Sequence, residues 1–139
     1  MEQEQDPEMD GDTGLSGLVI AAAIDVHREL GPGLLESAYR TCLVHELRTR
    51  GQRVETEVPL PVTYRGVQLR CGYRLDLVVE RTLIIELKAV HVLEALHIAQ
   101  LLTYLRLAGQ PLGLLINFNV PVLKQGIRRV VLTATRSPS

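Results

Sequence analysis

The stretch Leu83-Ile84-Ile85-Glu86-Leu87-Lys88-Ala89-Val90 constrains this chain more than any other. A run this apolar fits a strand covered on both faces, which requires a sheet with packing layers above and below it. Inside it stand a carboxylate and an ammonium two residues apart, and the strand period of two puts both on one face. Charges in such a place are costly unless they are paired or bound to a metal. The bland account is a Glu86–Lys88 ion pair at a strand end. Asp76 weighs against it, because it is another lone acid in an apolar strand, Tyr73-Arg74-Leu75-Asp76-Leu77-Val78-Val79. If the two segments form a hairpin around Arg81, Asp76 and Glu86 lie equally far from the turn and face one another. Carboxylates that close raise each other's pKa unless a cation sits between them. Oxygen-only ligands without Cys or His favour Mg2+ or Mn2+ over zinc. Lys88 beside them would orient or deprotonate an attacking water and offset charge on a phosphoryl transition state.

The rest of the chain must supply the layers that cover that strand. Its 139 residues suit one domain, and a hydrophobic fraction of 46 % with only 4 % aromatics points to an aliphatic core. Cys42 and Cys71 stand far apart with no CxxC pair, which argues against a disulfide scaffold or structural zinc and for a reducing compartment. No apolar run approaches the ~20 residues that a bilayer requires, and the acidic start is the wrong charge for a signal peptide, so the expectation is a soluble, cytoplasmic protein with no membrane partner. The formal charge of −1 hides an asymmetry: residues 1–13 carry six acids and no Lys or Arg, which leaves +5 on residues 14–139. Residues 1–14 are therefore expected to be a disordered acidic tail, 15–133 the domain, and 134–139 a C-terminal tail.

Periodicity gives the elements. A helix is expected from about residue 15 or 16, with Ser16 as N-cap and Leu18, Val19, Ala22, Ile24, Val26 and Leu30 on its buried face. Gly31-Pro32-Gly33 ends it. A second helix spans about 35–49, closed by Gly51. Val58, Leu60, Val62 and Tyr64 alternate, as do Val67, Leu69, Cys71 and Tyr73, which predicts a half-buried hairpin around Arg65-Gly66. Strands follow at 75–79 and 83–87, then a helix at 94–108 and strands at 112–118 and 127–132. The order α–α–β–β–β–β–α–β–β fits an α/β fold with a mixed central sheet flanked by helices.

Polar residues on the helices complete the candidate set. Glu36 and Tyr39 are i, i+3 on the second helix and share a face, although an acid there also suits the helix dipole. Gln100 and Tyr104 are i, i+4 on the third, with His97 on the same stripe, amid Ile98, Leu101, Leu102 and Leu105. This is either a polar seam on a buried helix or a plain surface stripe.

Taken together, these residues resemble the PD-(D/E)xK nuclease superfamily, and within it the small GxxExxY family, over roughly residues 15–133. Gly33, Glu36 and Tyr39 match the naming motif; Asp76 followed by Glu86-Leu87-Lys88 matches D…ExK; Gln100-Leu101-Leu102-Thr103-Tyr104 matches the QxxxY element of nucleases similar to the RecB nuclease domain. Leu75 stands where the superfamily name has Pro. The resemblance implies a restriction-endonuclease-like core. It implies a metal held by Asp76, Glu86 and the Leu87 carbonyl, with Glu36 as an outer or additional acidic ligand. Lys88 would position the water and stabilise developing charge, while Gln100 and Tyr104 would orient that lysine or touch the nucleic-acid backbone.

The function expected is a Mg2+-dependent nuclease, with Mn2+ as substitute, that hydrolyses phosphodiester bonds of DNA or RNA. Arg40, Lys124, Arg128 and Arg129 are candidates for phosphate contacts. The sequence offers no Lys/Arg-rich stripe and few exposed aromatics, so a homodimer or a protein partner would supply the grip. The alternatives are a non-catalytic nucleic-acid-binding or regulatory module on the same fold, and an interaction protein whose aliphatic helices form an obligate oligomer.

Overall fold

The structure, a computed structural model, describes residues 14–133 and the backbone of residues 2–5. Its elements are β1 (Glu2–Gln5), α1 (Leu15–Leu30), α2 (Glu36–Thr49), β2 (Val54–Pro59), β3 (Val62–Tyr64), β4 (Val67–Leu69), β5 (Arg74–Val79), β6 (Leu83–Lys88), α3 (Ala95–Ala108), β7 (Leu112–Asn117) and β8 (Ile127–Leu132), with a 3-10 turn at Leu123–Gly126 before β8. The main sheet runs β1-β8-β7-β6-β5-β2. Only β6 and β7 are parallel, because α3 carries the chain back between them. The mixed α/β sheet expected from the sequence is the one observed.

Packing explains why β6 reads as an apolar run. Leu83, Ile85 and Leu87 face α1 and α2 in one core cluster, while Ile84 and Val78 face Leu101 and Leu105 of α3 in a second. The sheet is thus covered on both faces, with β6 well inside it. No helix among the described residues is long and apolar enough to cross a membrane.

Several expectations are corrected. Ser16 does not cap α1. Gly14 holds the N-cap position, and the Ser16 hydroxyl accepts a bond from buried Arg129 at 3.0 Å. Arg129 is only 2 % exposed, so it cannot be a phosphate contact. Leu18 faces solvent rather than the core, and the buried stripe is Val19, Ala22, Ala23 and Val26. The hairpin around Arg65-Gly66 forms, but β3 and β4 make a separate two-stranded sheet and are mostly exposed instead of half-buried. The strand expected from Val58 to Tyr64 is two strands, since Pro59 and Pro61 lack the N–H that a continuous ladder needs. Glu2–Gln5 pairs antiparallel with β8, where no regular structure was expected. Such pairing uses backbone groups, which composition does not announce. The remaining residues read as tails, 1, 6–13 and 134–139, lie outside the described residues.

Candidate active site

The hairpin register is the one that strand parity requires: Leu77 pairs with Ile85, Val78 with Ile84 and Val79 with Leu83. The next position would set Asp76 opposite Glu86, and there the backbone ladder between β5 and β6 stops. Side chains replace it. The Asp76 N–H donates to Glu86 Oε2 at 3.0 Å, and the Leu87 N–H donates to Asp76 Oδ2 at 2.9 Å. On its other side β5 pairs Leu77 with Thr56 and Leu75 with Val58. Glu57, between those partners, takes a φ of 50°. Asp76 therefore sits where pairing lapses on both flanks, and the gap between strands admits side chains from either helical layer.

From one layer comes α2. Tyr39 is fully buried and stacks on Phe118 at 4.5 Å. Its hydroxyl donates to the Gly31 carbonyl and accepts the Leu34 N–H. Gly33, at φ 101°, makes the turn that this bridge closes. The result fixes where α2 starts, and Glu36 is its first residue. Arg40, one turn on, reaches both acids: its Nη2 lies 3.5 Å from Glu36 Oε2 and 3.7 Å from Asp76 Oδ1. Its Nε is buried without a hydrogen-bond partner. Sequence reasoning placed Arg40 only among surface phosphate contacts. The i, i+4 spacing to Glu36 was the one available signal for its place here.

From the other layer comes α3. The Lys88 ammonium donates to Gln100 Oε1 at 3.5 Å. Tyr104 is buried to within 9 %. Its phenol is pushed above the usual range by burial, with the carboxylate of Glu86 and the neighbouring Tyr73 adding to the effect. His97 does not join the stripe. It faces Glu94 in a capping box, its Nδ1 accepting the Glu94 N–H at 2.9 Å. The structure thus brings Asp76, Glu86, Lys88, Glu36, Gln100 and Tyr104 to one locale, and leaves out His97 and Arg129. Lys124 is exposed, and Arg128 donates to the Gln125 and Ile127 carbonyls.

Electrostatics marks Glu86 out. It is 5 % exposed, and desolvation first, then the Asp76 charge, push its carboxyl up from 4.5 to about 8. Glu36 is also raised, by burial and then by Asp76. A hard divalent cation suits this donor set, because it would relieve the repulsion and the desolvation together. Among the described residues no three His, Cys, Asp or Glu side chains close on one point, so backbone, water or substrate oxygens would have to complete such a shell. A cavity of about 670 Å3 opens beside Arg40 between α2 and β2. It shares that arginine with the cluster but none of Asp76, Glu86 or Lys88.

The sequence profile described as the PD-(D/E)XK nuclease superfamily matches residues 13–130. No curated protein and no solved structure is significantly similar to the chain.

Proposed function

The chain belongs to the PD-(D/E)XK nuclease superfamily, and on that footing we propose that it is a Mg2+-dependent nuclease of the GxxExxY type that hydrolyses phosphodiester bonds of nucleic acid. The observation that carries this reading is the exchange at Asp76 and Glu86: two acids on neighbouring strands, each bonded to the other strand's backbone, with Lys88 alongside. A structural ion pair needs one acid and one base. Here a second acid, the partly buried Asp76 beside the buried Glu86, raises the cost of the site, which makes sense when a cation is to be held there.

In this reading Asp76 and Glu86 hold the metal through their free oxygens. An extended residue's N–H and C=O face the same side, so the Leu87 carbonyl faces the gap as its N–H does and serves as a third ligand. Glu36 stands behind as the outer acid. When bound, Mg2+ supplies polarisation of water and of the phosphoryl oxygens. Lys88 orients the attacking water and offsets charge that develops on the phosphate, and Gln100 holds the Lys88 ammonium on line. Tyr104 walls the site from the α3 side. A non-catalytic module on this fold would retain the cost of Glu86 with no return from it.

The test is cleavage of labelled single- and double-stranded DNA and RNA in Mg2+ and in Mn2+ by the intact protein, by Asp76→Ala and by Lys88→Met. Cleavage by the intact chain alone is expected. Lys88→Met should lose on the order of 10²-fold or more in rate while retaining its melting temperature and its Mn2+ affinity. An intact chain inert on every substrate, or Lys88→Met at full activity, would overturn the reading.

A further inference from the structure

Among the described residues, the excursion between β2 and β5 is the part whose shape the core does not explain. Residues 63–74 are exposed without interruption, and β3 and β4 pair only with each other. Arg65 and Gly66 turn the hairpin with φ of 51° and 81°, a geometry suited to a two-residue hairpin turn. A protein does not ordinarily hold a β-hairpin away from its core, since a lone pair of strands is marginal in water.

Its composition is one-sided. No acid occurs between Glu57 and Asp76, while Arg65, Arg70 and Arg74 do. Two of the chain's four tyrosines are on it: Tyr64 is 59 % and Tyr73 is 49 % exposed. The Arg65 guanidinium lies 5.4 Å from the Tyr64 ring centre, as a cation does over a π face. At the base of the arm a cleft of about 180 Å3 has Arg70, Tyr73 and Arg74 in its walls. The arm also runs straight into the carboxylate cluster. The Tyr73 ring meets that of Tyr104 at 6.2 Å, and Arg74 is two residues before Asp76. Rings in the open beside guanidinium groups, ending at an acidic centre, form a track for a chain of alternating flat bases and phosphates.

We propose that the arm of residues 60–74 grips a single-stranded segment of nucleic acid and leads it to Asp76 and Glu86, with bases stacked on Tyr64 and Tyr73 and phosphates on Arg65, Arg70 and Arg74. This specifies the substrate class and rests on the nuclease reading for where the strand ends up. A duplex hides its base faces, so stacking rings select unpaired bases. The arm also replaces the partner subunit that the sequence alone called upon for grip. Its arginines make affinity fall with salt, since each phosphate contact releases counterions.

The experiment measures anisotropy of a labelled single-stranded oligonucleotide and its duplex with the intact chain in EDTA, where no cleavage occurs, at two salt concentrations. Single strand is expected to bind more tightly than duplex. Tyr64→Ala should weaken it by about fivefold or more, the loss of one stacked base, while Tyr64→Phe retains it. Arg70→Ala should weaken binding and flatten the salt slope by about one contact. Neither Tyr64→Ala nor Arg70→Ala should change the melting temperature or the hydrolysis of a small activated phosphodiester in Mn2+. Equal binding of both oligonucleotides by the intact chain and by Tyr64→Ala would overturn the proposal. So would sedimentation showing that Tyr64→Ala turns a dimer into a monomer with oligonucleotide affinity intact, since the arm would then be a contact between copies. Failure of the intact chain to hydrolyse the small diester would count against the nuclease reading, and the binding arm of the experiment would still judge the track.

Discussion

Glu86 offers the sharpest test of the site, because replacing it should make the protein more stable. Burial and the Asp76 charge hold its carboxyl at about 8 in the folded chain, against an ordinary 4.5. The folded state therefore keeps a proton that the unfolded state releases between those two values. With more protons on the native side, stability falls as pH rises through that window. The contribution of the protonated group is complete below about pH 4.5 and gone above about pH 8. At 1.36 kcal/mol per unit the full swing is roughly 5 kcal/mol, a large share of the 5–15 kcal/mol that holds a typical domain together.

Glu86→Gln removes the titration and retains the shape. The amide oxygen still accepts the Asp76 N–H, and the amide nitrogen carries no charge to repel the Asp76 carboxylate. Urea unfolding in EDTA at pH 5 and pH 8.5 should show the parent chain losing several kcal/mol between the two and the variant losing little. For urea slopes of roughly 1–3 kcal/mol per molar, the midpoints at pH 8.5 should differ by about 2 M in favour of the variant. Adding Mn2+ at pH 8.5 should raise the parent and leave the variant unmoved, because only ionised Glu86 gains a ligand. Parallel pH curves for the two proteins, or a variant less stable at pH 8.5, would refute the account of Glu86.

Two further predictions concern the α2 side of the site. Tyr39→Phe removes both hydroxyl bonds to the turn, to Gly31 and Leu34; it should cost about 1–2 kcal/mol in urea unfolding and lower the cleavage rate by loosening Glu36, and an unchanged rate would show that the turn does not position that acid. Arg40→Gln frees Glu36 and Asp76 of a competing cation; with two partly exposed ion pairs worth roughly 0.2–1 kcal/mol each, calorimetry should show Mn2+ bound between about twofold and about thirtyfold more tightly, and an unaltered affinity would mean that Arg40 does not compete.

The β5–β6 half of the site was legible because sequence controls it directly. Strand parity and a turn at Arg81 suffice to set Asp76 opposite Glu86 and Lys88 on the same face, and the register of Leu77 with Ile85 bears that out. The end of the ladder at that point was not legible, since carboxylates take the place of backbone partners only once a third dimension is given. Glu36 could be placed by resemblance alone, as an acid in the first turn of any helix is favourable for its own sake. The hairpin around Arg65 was legible as a hairpin, but alternation does not say which sheet a strand joins, and Val67 and Leu69 proved to face water. His97 misled because a residue on a helix stripe is indistinguishable in sequence from one that closes the first turn.

Arg40 ties these pieces together through charge. With Glu86 protonated near neutrality, two carboxylates, Asp76 and Glu36, face two cations, Arg40 and Lys88, and the site is close to balanced. That balance lowers the cost of gathering these acids in one place. In the proposed reading Asp76 and Glu86 would hold a divalent ion, which would add two charges and favour the ionised form of Glu86, so that one positive charge would be in excess. A phosphodiester would bring one negative charge, so on that reading the site would be balanced again only with metal and substrate both bound. Arg40 is suited to the exchange: its two ion-pair contacts are long, at 3.5 and 3.7 Å, and its Nε has no partner, so little holds it against Asp76 once another cation arrives. A guanidinium released there would stand beside an incoming phosphate, where a planar fork of donors is matched to the phosphate oxygens. The same side chain would thus guard the acids in the free protein and grip the substrate in the loaded one.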